Sequence, residues 1–490
     1  MARWEFGFQI DRSRGPSIPL QIARALVAEI RRGRLRPGTR LPGSRTLART
    51  LGVHRQTVVS AIDELTAEGW VVARPASGVF VAADVPEELP ARSPRRRTAP
   101  PSRFPLPLAD APEPELPRVV PPRAILMSGS RPDVRLLPAD LIGRAYRRAL
   151  HAHGPRLLTY RHPAGLPRLR EGLAAMLSAT RGLAVDPDAV LVTRGSQMAL
   201  ALTARALVRP GDVVAVEHPG YRPAWEAFRL AGAEVAPVPV GEHGLDVGAL
   251  ARLAAARRVR AVYVTPHHQF PTTVTMSGPK RLQLLRLAAE ARFAIIEDDY
   301  DHEFHYTGTP ILPIASADTD GLVVYIGTLS KVLAPGLRLG FVVAARDLVE
   351  RLVSYRSFAD LQGDAVLESA LADLLDEGLI QRHVRKTVRL YKRRLDALAA
   401  ALRRRLAGFL TFRDPSGGSA IWVRTGDART MTRWVHAAER RGVLFDPGVA
   451  FTMHGTPIAA ARLGFACLTE GETAEAVRRL AAAAADVRGR

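Results

Sequence analysis

Cysteine is almost absent from this chain of 490 residues. Cys467 stands alone, which excludes an internal disulfide framework and any cysteine-rich zinc centre. Lysine is nearly as scarce, with four (Lys280, Lys331, Lys386 and Lys392) against 65 arginines. No stretch reaches the roughly 18 uncharged apolar residues of a membrane span. The opening residues, MARWEFGFQIDRSRG, lack the apolar run of a signal peptide. A soluble cytoplasmic protein with no membrane partner is the expectation. His267 and His268 are adjacent, but no third ligand follows at metal-site spacing, so no metal is assigned.

The formal net charge is +21, which points to an anionic partner or to a general preference for arginine. Position separates the two readings. Residues 1–80 hold 13 Arg and 6 Asp or Glu, so the excess is densest at the N-terminus, where a nucleic-acid module is expected. Three zones follow. Residues 1–83 carry short helical patterns and end in a hairpin pattern. Residues 84–122 are interrupted by proline throughout, which blocks helix and sheet ladders and gives an extended, semi-rigid linker. Its full reach would be on the order of 100 Å. From residue 123 to 490, short apolar runs (190–193, 213–216, 262–265, 293–296, 323–326, 341–344) alternate with helical stretches such as 197–208 and 280–291. Such alternation predicts an α/β fold with a mainly parallel sheet, whose ligands bind at the strands' C-terminal ends.

In LRPGTRLPGSRTLARTLGVHRQTVVSAIDELTAEGWVVARPASGVFVA, Ser44 is placed to cap a short helix over 45–51 that stops at Gly52. A second helix runs over 55–68, with Val58, Ala61, Ile62 and Leu65 at helical spacing. Two short helices joined by a glycine turn describe a helix-turn-helix, and the hairpin after it a wing. The start of the second helix faces the major groove in this arrangement. Arg55 there suits guanine or phosphate, and Gln56 suits adenine or a backbone oxygen. Arg40 and Arg45 flank the first helix as phosphate contacts. The segment resembles the winged helix of the GntR regulator family over residues 18–82. That resemblance implies DNA contacts at Arg40, Ser44, Arg45, Arg55, Thr57 and Gly78, and double-stranded operator DNA as partner.

Lys331, in YIGTLSKVLAPGLRLGF, survives in a chain that otherwise uses arginine for positive charge. Only a primary amine forms a Schiff base. Thr328, Ser330 and Arg338 beside it supply two hydroxyls and a guanidinium suited to a phosphate dianion. LVTRGSQMALALTARAL is a strand, a turn and a helix, so Gly195, Ser196 and Gln197 present backbone N–H groups and a helix dipole to the same anion. FAIIEDDYDHEF sets Asp298 just past a buried strand, where it could hold a pyridine nitrogen protonated, bind magnesium or cap a helix; Tyr300 could reach a 3′-hydroxyl. Tyr221, in VEHPGYRPA, offers a ring to stack on a pyridine face. His268 and Gln269, in VTPHHQFPTTVTMS, come to another strand end. Arg462, in IAAARLGFACL, suits a bidentate grip on a carboxylate.

Together these segments resemble the fold-type I aminotransferases over residues 123–488. The resemblance implies a large domain and a smaller C-terminal α+β subdomain, with pyridoxal 5′-phosphate linked to Lys331. It also implies pyridine contact at Asp298, stacking at Tyr221, phosphate contacts at Ser196, Gln197, Ser330 and Arg338, and an effector carboxylate at Arg462. TYRHPAGLPRLREGLA, with Tyr160 and Gly165, resembles the segment that reaches the partner subunit, so a homodimer with swapped domains is expected. A GntR-like winged helix, a linker and an aminotransferase-like domain are the signature of the MocR regulators. The implied function is a regulator that senses pyridoxal phosphate or an amino compound and controls vitamin B6 or amine and amino-acid genes. An active aminotransferase is the alternative. The chain departs from the MocR pattern at His267, Thr273 and His305, which leaves the effector open.

Overall fold

The structure is a computed structural model that describes residues 10–11, 16–86, 111–114, 118–129, 131–308 and 311–489. Most of the expected linker lies outside the described residues. The chain divides into two units, residues 1–111 and 112–490, each described here by itself.

The first unit is built from α1 (Ile18–Arg31), α2 (Ser44–Leu51), α3 (Arg55–Ala67) and a hairpin of β1 (Val71–Arg74) and β2 (Gly78–Val81). Ile22, Leu26, Leu47, Val58, Ala61, Leu65 and Trp70 close its core. Gly52 ends α2 in the left-handed conformation that a side chain resists. Ser44 is not the cap of α2. Gly43 takes that position and Ser44 is the first helical residue, its hydroxyl accepting from Arg55 Nε at 3.3 Å. The side chain is thus spent on tying the two helices of the motif together.

The second unit runs β3 (Ile125–Leu126), α4 (Ala139–Leu157), α5 (Pro167–Arg181), β4 (Val190–Thr193), α6 (Ser196–Leu207), β5 (Val213–His218), α7 (Arg222–Leu230), β6 (Glu234–Gly241), β7 (Gly244–Leu245), α8 (Val247–Ala256), β8 (Val259–Val264), α9 (Gly278–Ala291), β9 (Ala294–Asp299), β10 (Val323–Thr328) and β11 (Gly340–Val343). It continues through α10 (Arg346–Ala359), α11 (Ala365–Asp376), α12 (Leu379–Leu406), β12 (Thr411–Phe412), β13 (Ala420–Arg424), α13 (Ala428–Arg440), β14 (Val443–Leu444), β15 (Asp446–Pro447), β16 (Ala460–Gly464) and α14 (Glu470–Arg488). Eight strands form the large sheet in the order β4-β11-β10-β9-β8-β5-β6-β7. From β10 to β6 every neighbour is parallel, so their C-terminal ends open on one edge. β11 runs antiparallel to both β10 and β4.

The smaller sheet, β12-β13-β16-β15, is antiparallel. It shares a core with α12, α13 and α14 around Trp434, Phe445 and Leu480. β3 pairs with β14, and Arg118 donates to the Phe445 carbonyl at 3.2 Å. The stretch 118–122, expected within the linker, therefore already contacts the smaller subdomain. Gly165 has φ +101°, and a Cβ there would stand 2.7 Å from Val192. The backbone needs glycine to pass this close to β4.

Candidate functional site

On the winged-helix unit, the Arg55 side chain at the start of α3 reaches the Ser44 hydroxyl at the start of α2. Arg45 lies in the first turn of α2, Arg55 and Gln56 open α3, and all three are exposed, with Thr57 half-buried. No acidic residue stands in the first turn of α3, so its positive dipole end faces outward without a neutralising charge. At the wing, Gly78 has φ +112°, and a Cβ there would meet Arg40 Nε at 3.1 Å. Arg40 itself bridges to Phe80 through its backbone. Arg40, Ser44, Arg45, Arg55, Gln56, Thr57 and Gly78 thus all fall on the helix-turn-helix or the wing.

In the larger unit a cavity of about 500 Å3 opens at the strands' C-terminal ends. Lys331 follows β10, Asp298 lies near the end of β9, and Tyr221 follows β5. These three line it together with Ser196, Gln197, Tyr300, Thr328, Ser330 and Arg338. Gly195 caps α6 with φ +77°, and a Cβ there would lie 3.0 Å from the Arg338 guanidinium. Glycine at this point lets Arg338 cross the helix N-terminus, concentrating positive potential where an anion sits. Arg338 Nη2 donates to the Arg194 carbonyl at 3.0 Å, and Gln197 Nε2 to the Pro223 carbonyl at 3.0 Å. The Thr328 hydroxyl donates to the Leu339 carbonyl at 3.1 Å and accepts from Ser330 N at 3.1 Å. It braces the turn, whereas Ser330 Oγ is buried with no hydrogen-bond partner.

Asp298 Oδ2 accepts from the Tyr263 hydroxyl at 2.8 Å, while Oδ1 is buried without a hydrogen bond. Burial pushes the Asp298 carboxyl up to about 7, against the opposing hydrogen bond from Tyr263. Lys331 keeps some exposure to the cavity but is otherwise ringed by protein. Burial, and after it the Arg462 charge, pull its amine down to about 8 against the opposing effect of Asp301 and Asp298. The lowered value gives a larger neutral fraction near physiological pH than an ordinary lysine has, and the neutral amine is the form that attacks a carbonyl.

Two expected residues lie next to the cavity without lining it. Arg462 does not line the cavity; it is 1% exposed, lies 4.9 Å from the Phe270 ring centre and donates to the Pro271 carbonyl at 3.2 Å. Phe270 lies in front of it and forms the cavity wall. His268 is also turned away, its Nδ1 2.8 Å from Asp301 Oδ1. Its carbonyl accepts the Tyr300 hydroxyl at 2.7 Å. That hydroxyl is therefore engaged as a donor and has only its lone pairs left for a ligand. Tyr263, Phe270, Arg131 and Asp446 also line the cavity, and sequence reasoning missed them. Phe270 directly follows Gln269 in the segment already singled out; the others carry no local motif.

Comparison with known proteins finds the family "Aminotransferase class I and II" over residues 134–480 and "Bacterial regulatory proteins, gntR family" over residues 19–81. The chain is 33% identical over 474 residues to the "Probable rhizopine catabolism regulatory protein MocR" of Rhizobium meliloti, spanning 97% of this chain and 95% of that protein. It is 32% identical over 378 residues to the "HTH-type pyridoxine biosynthesis transcriptional regulator PdxR" of Corynebacterium glutamicum, with 77% of each covered. Among solved structures, LysN, the α-aminoadipate aminotransferase of Thermus thermophilus complexed with N-(5′-phosphopyridoxyl)-L-leucine, is 30% identical. It superposes with a TM-score of 0.70 over 75% of this chain and 93% of that one.

Proposed function

The chain belongs to the MocR-type regulators, a GntR DNA-binding module followed by a class I and II aminotransferase domain, and on that premise we propose that it reads pyridoxal phosphate, or an amino compound presented to it, and passes that reading to operator DNA. It is a pyridoxal-phosphate-dependent type of transcriptional regulator. The proposal concerns what it senses and how.

The observation that carries the reading is the pair of orphaned buried atoms, Asp298 Oδ1 and Ser330 Oγ. Buried polar atoms normally have partners, and these two fit a pyridine nitrogen and a phosphate. When bound, pyridoxal phosphate supplies an aldehyde that condenses with a primary amine and a ring that draws electrons. This chain's residues do the rest. Ser196, Gln197, Ser330, Arg338 and the N-terminus of α6 hold the phosphate. Asp298 keeps a proton on the ring nitrogen, Tyr221 packs against the ring, and Lys331 offers its amine. The similarity to a pyridoxine biosynthesis regulator supports vitamin B6 genes as targets; the similarity to a rhizopine catabolism regulator supports amine genes. The complete Lys331 and Asp298 set favours one second reading, a slow transamination half-reaction.

Sensing requires that ligand and DNA affinities be coupled. Titration of upstream DNA, followed by fluorescence anisotropy with and without pyridoxal phosphate, is expected to show a shift of about 5- to 150-fold in DNA affinity. The shift should vanish in Lys331→Ala. Equal DNA affinity under all four conditions would sink the sensing claim, and fast multiple turnover of an amino donor with a keto acid would establish the second reading.

A homodimer is supported by exposed apolar side chains. Leu158, Tyr160 and Phe358 are 73%, 83% and 92% exposed, and the backbone of Arg161 donates to the Gln362 side chain, which brings the two segments together. A patch of this kind marks an interface. Phe358→Asp is expected to convert the dimer to monomer at micromolar concentration, read by light scattering; an unchanged mass would place the interface elsewhere.

A further inference from the structure

Behind the cofactor cavity lies a knot of four imidazoles. His267 and His268 follow β8, whereas His302 and His305 follow β9. The ring centre of His267 lies 4.6 Å from that of His268, 4.4 Å from His302 and 5.8 Å from His305. His267 is 3% exposed, His268 1% and His302 5%. Neither ring nitrogen of His267 has a hydrogen-bond partner, and Nε2 of His268 has none. His305 has at most a loose contact with the Thr307 backbone. Leaving a buried polar atom without a partner is unfavourable, so packing alone is a poor reason for several histidines here.

The nitrogens converge. One ligand atom each from His267, His268 and His305 can be chosen so that all lie within 4.8 Å of one another. Around a tetrahedral ion bound at 2.0–2.1 Å, nitrogens stand roughly 3.4 Å apart, so small ring rotations complete the set. His268 already has the carboxylate partner that metal-binding histidines use on their other ring nitrogen. Its Nδ1 lies 2.8 Å from Asp301 Oδ1, a contact that directs the Nε2 lone pair toward an ion. Position 417 is glycine, and a Cβ there would lie 2.3 Å from that Nε2. A second grouping, His267, Asp299 and His302, is less suited. Asp299 Oδ2 already accepts from the Tyr325 hydroxyl at 2.6 Å, and it lies 3.0 Å from His302 Nδ1 and 3.6 Å from Arg181 Nε.

We propose that His267, His268 and His305 together bind one divalent transition-metal ion of the zinc class, with its fourth position open. His305 is half-buried and borders a groove of about 820 Å3 shared with Arg382, His383, Lys386 and Arg389. That groove provides an entry path and room for water or an anionic ligand at the open position. An all-nitrogen set disfavours magnesium and calcium, which prefer oxygen. The ion ties the loop after β8 to the loop after β9. Because the His268 carbonyl accepts the Tyr300 hydroxyl, the tie also fixes one wall of the cofactor cavity. No motif spacing announces this site, since the fold supplies the third ligand from a distant segment.

The test uses tag-free, full-length protein stripped with a chelator and titrated with Co2+. Visible ligand-field absorbance should saturate at about one equivalent per chain, as for a three-histidine site with one open position, and should be displaced by Zn2+ but not by Mg2+ or Ca2+. Binding should weaken at least tenfold in His267→Gln and in His305→Gln and stay unchanged in Lys331→Ala. Absence of saturable absorbance in the wild type overturns the proposal, as does wild-type affinity in His305→Gln. If His267→Gln does not fold, the wild-type titration and His305→Gln decide it, because His305 is partly exposed and spends no strong hydrogen bond.

Discussion

Replacing Lys331 with arginine is expected to abolish the visible absorbance that pyridoxal phosphate takes on when attached to a lysine, although the positive charge is kept. Arginine is the substitution this chain accepts almost everywhere else, with 65 arginines and four lysines. A guanidinium cannot condense with an aldehyde. Pyridoxamine phosphate, which needs no lysine linkage, should still bind to Lys331→Arg through the phosphate and ring contacts. A retained lysine-type absorbance in the variant would show that another amine, such as Lys280, carries the group.

The rate of attachment adds a pH test. Burial lowers the Lys331 amine to about 8, with the Arg462 charge adding to the effect. The neutral amine is the reactive form, and it predominates above the pKa. Attachment should therefore accelerate as pH rises toward about 8 and level off above it. An ordinary lysine would keep gaining up to roughly 10.4. A rate that climbs steadily to pH 10, measured by stopped-flow absorbance, would mean that Lys331 is not held in a desolvating site.

Much of this site was legible because its chemistry is carried by local strings at strand ends. The run 190–193 coincides with β4, and the other five runs overlap their strands to within a few residues. Most of the short apolar runs have a glycine-, serine- or acid-rich turn beside them, so strand and ligand group are read in one window. What was not legible is pairing. A buried apolar strand looks the same in either direction, so the antiparallel course of β11 has no sequence signal. Arg462 sits on the expected late strand, yet whether it faces the cavity depends on Phe270, nearly 200 positions earlier. Ser44 has the residue type of a helix cap, but Gly43 occupies that position because the helix begins one residue sooner than expected, at Ser44 itself. The histidine knot is split between segments after β8 and β9 and becomes visible only when parallel strands bring them together.

Arg55→Ala is expected to weaken operator binding by about ten- to a hundredfold, corresponding to about 1–3 kcal/mol. Arg55 opens α3 and is exposed, and its Nε is held by Ser44 Oγ at 3.3 Å. That contact limits the rotamers of the arm and aims the remaining guanidinium nitrogens outward, so part of the ordering entropy is lost before DNA arrives. Ser44→Ala should consequently weaken binding less, by about 0.5–1.5 kcal/mol. The same variant decides between the two roles that the sequence left open. If Arg55 reads guanine, Arg55→Ala relaxes preference at one base pair of each half-site. If it grips phosphate, affinity falls almost uniformly across sequences, and the dependence of log affinity on log salt becomes shallower by about one per contact removed. Measuring both variants on operator and scrambled DNA at several salt concentrations distinguishes these outcomes. Unchanged affinity on every DNA would remove the first turn of α3 from the interface and leave Arg40, Arg45 and the wing to carry it.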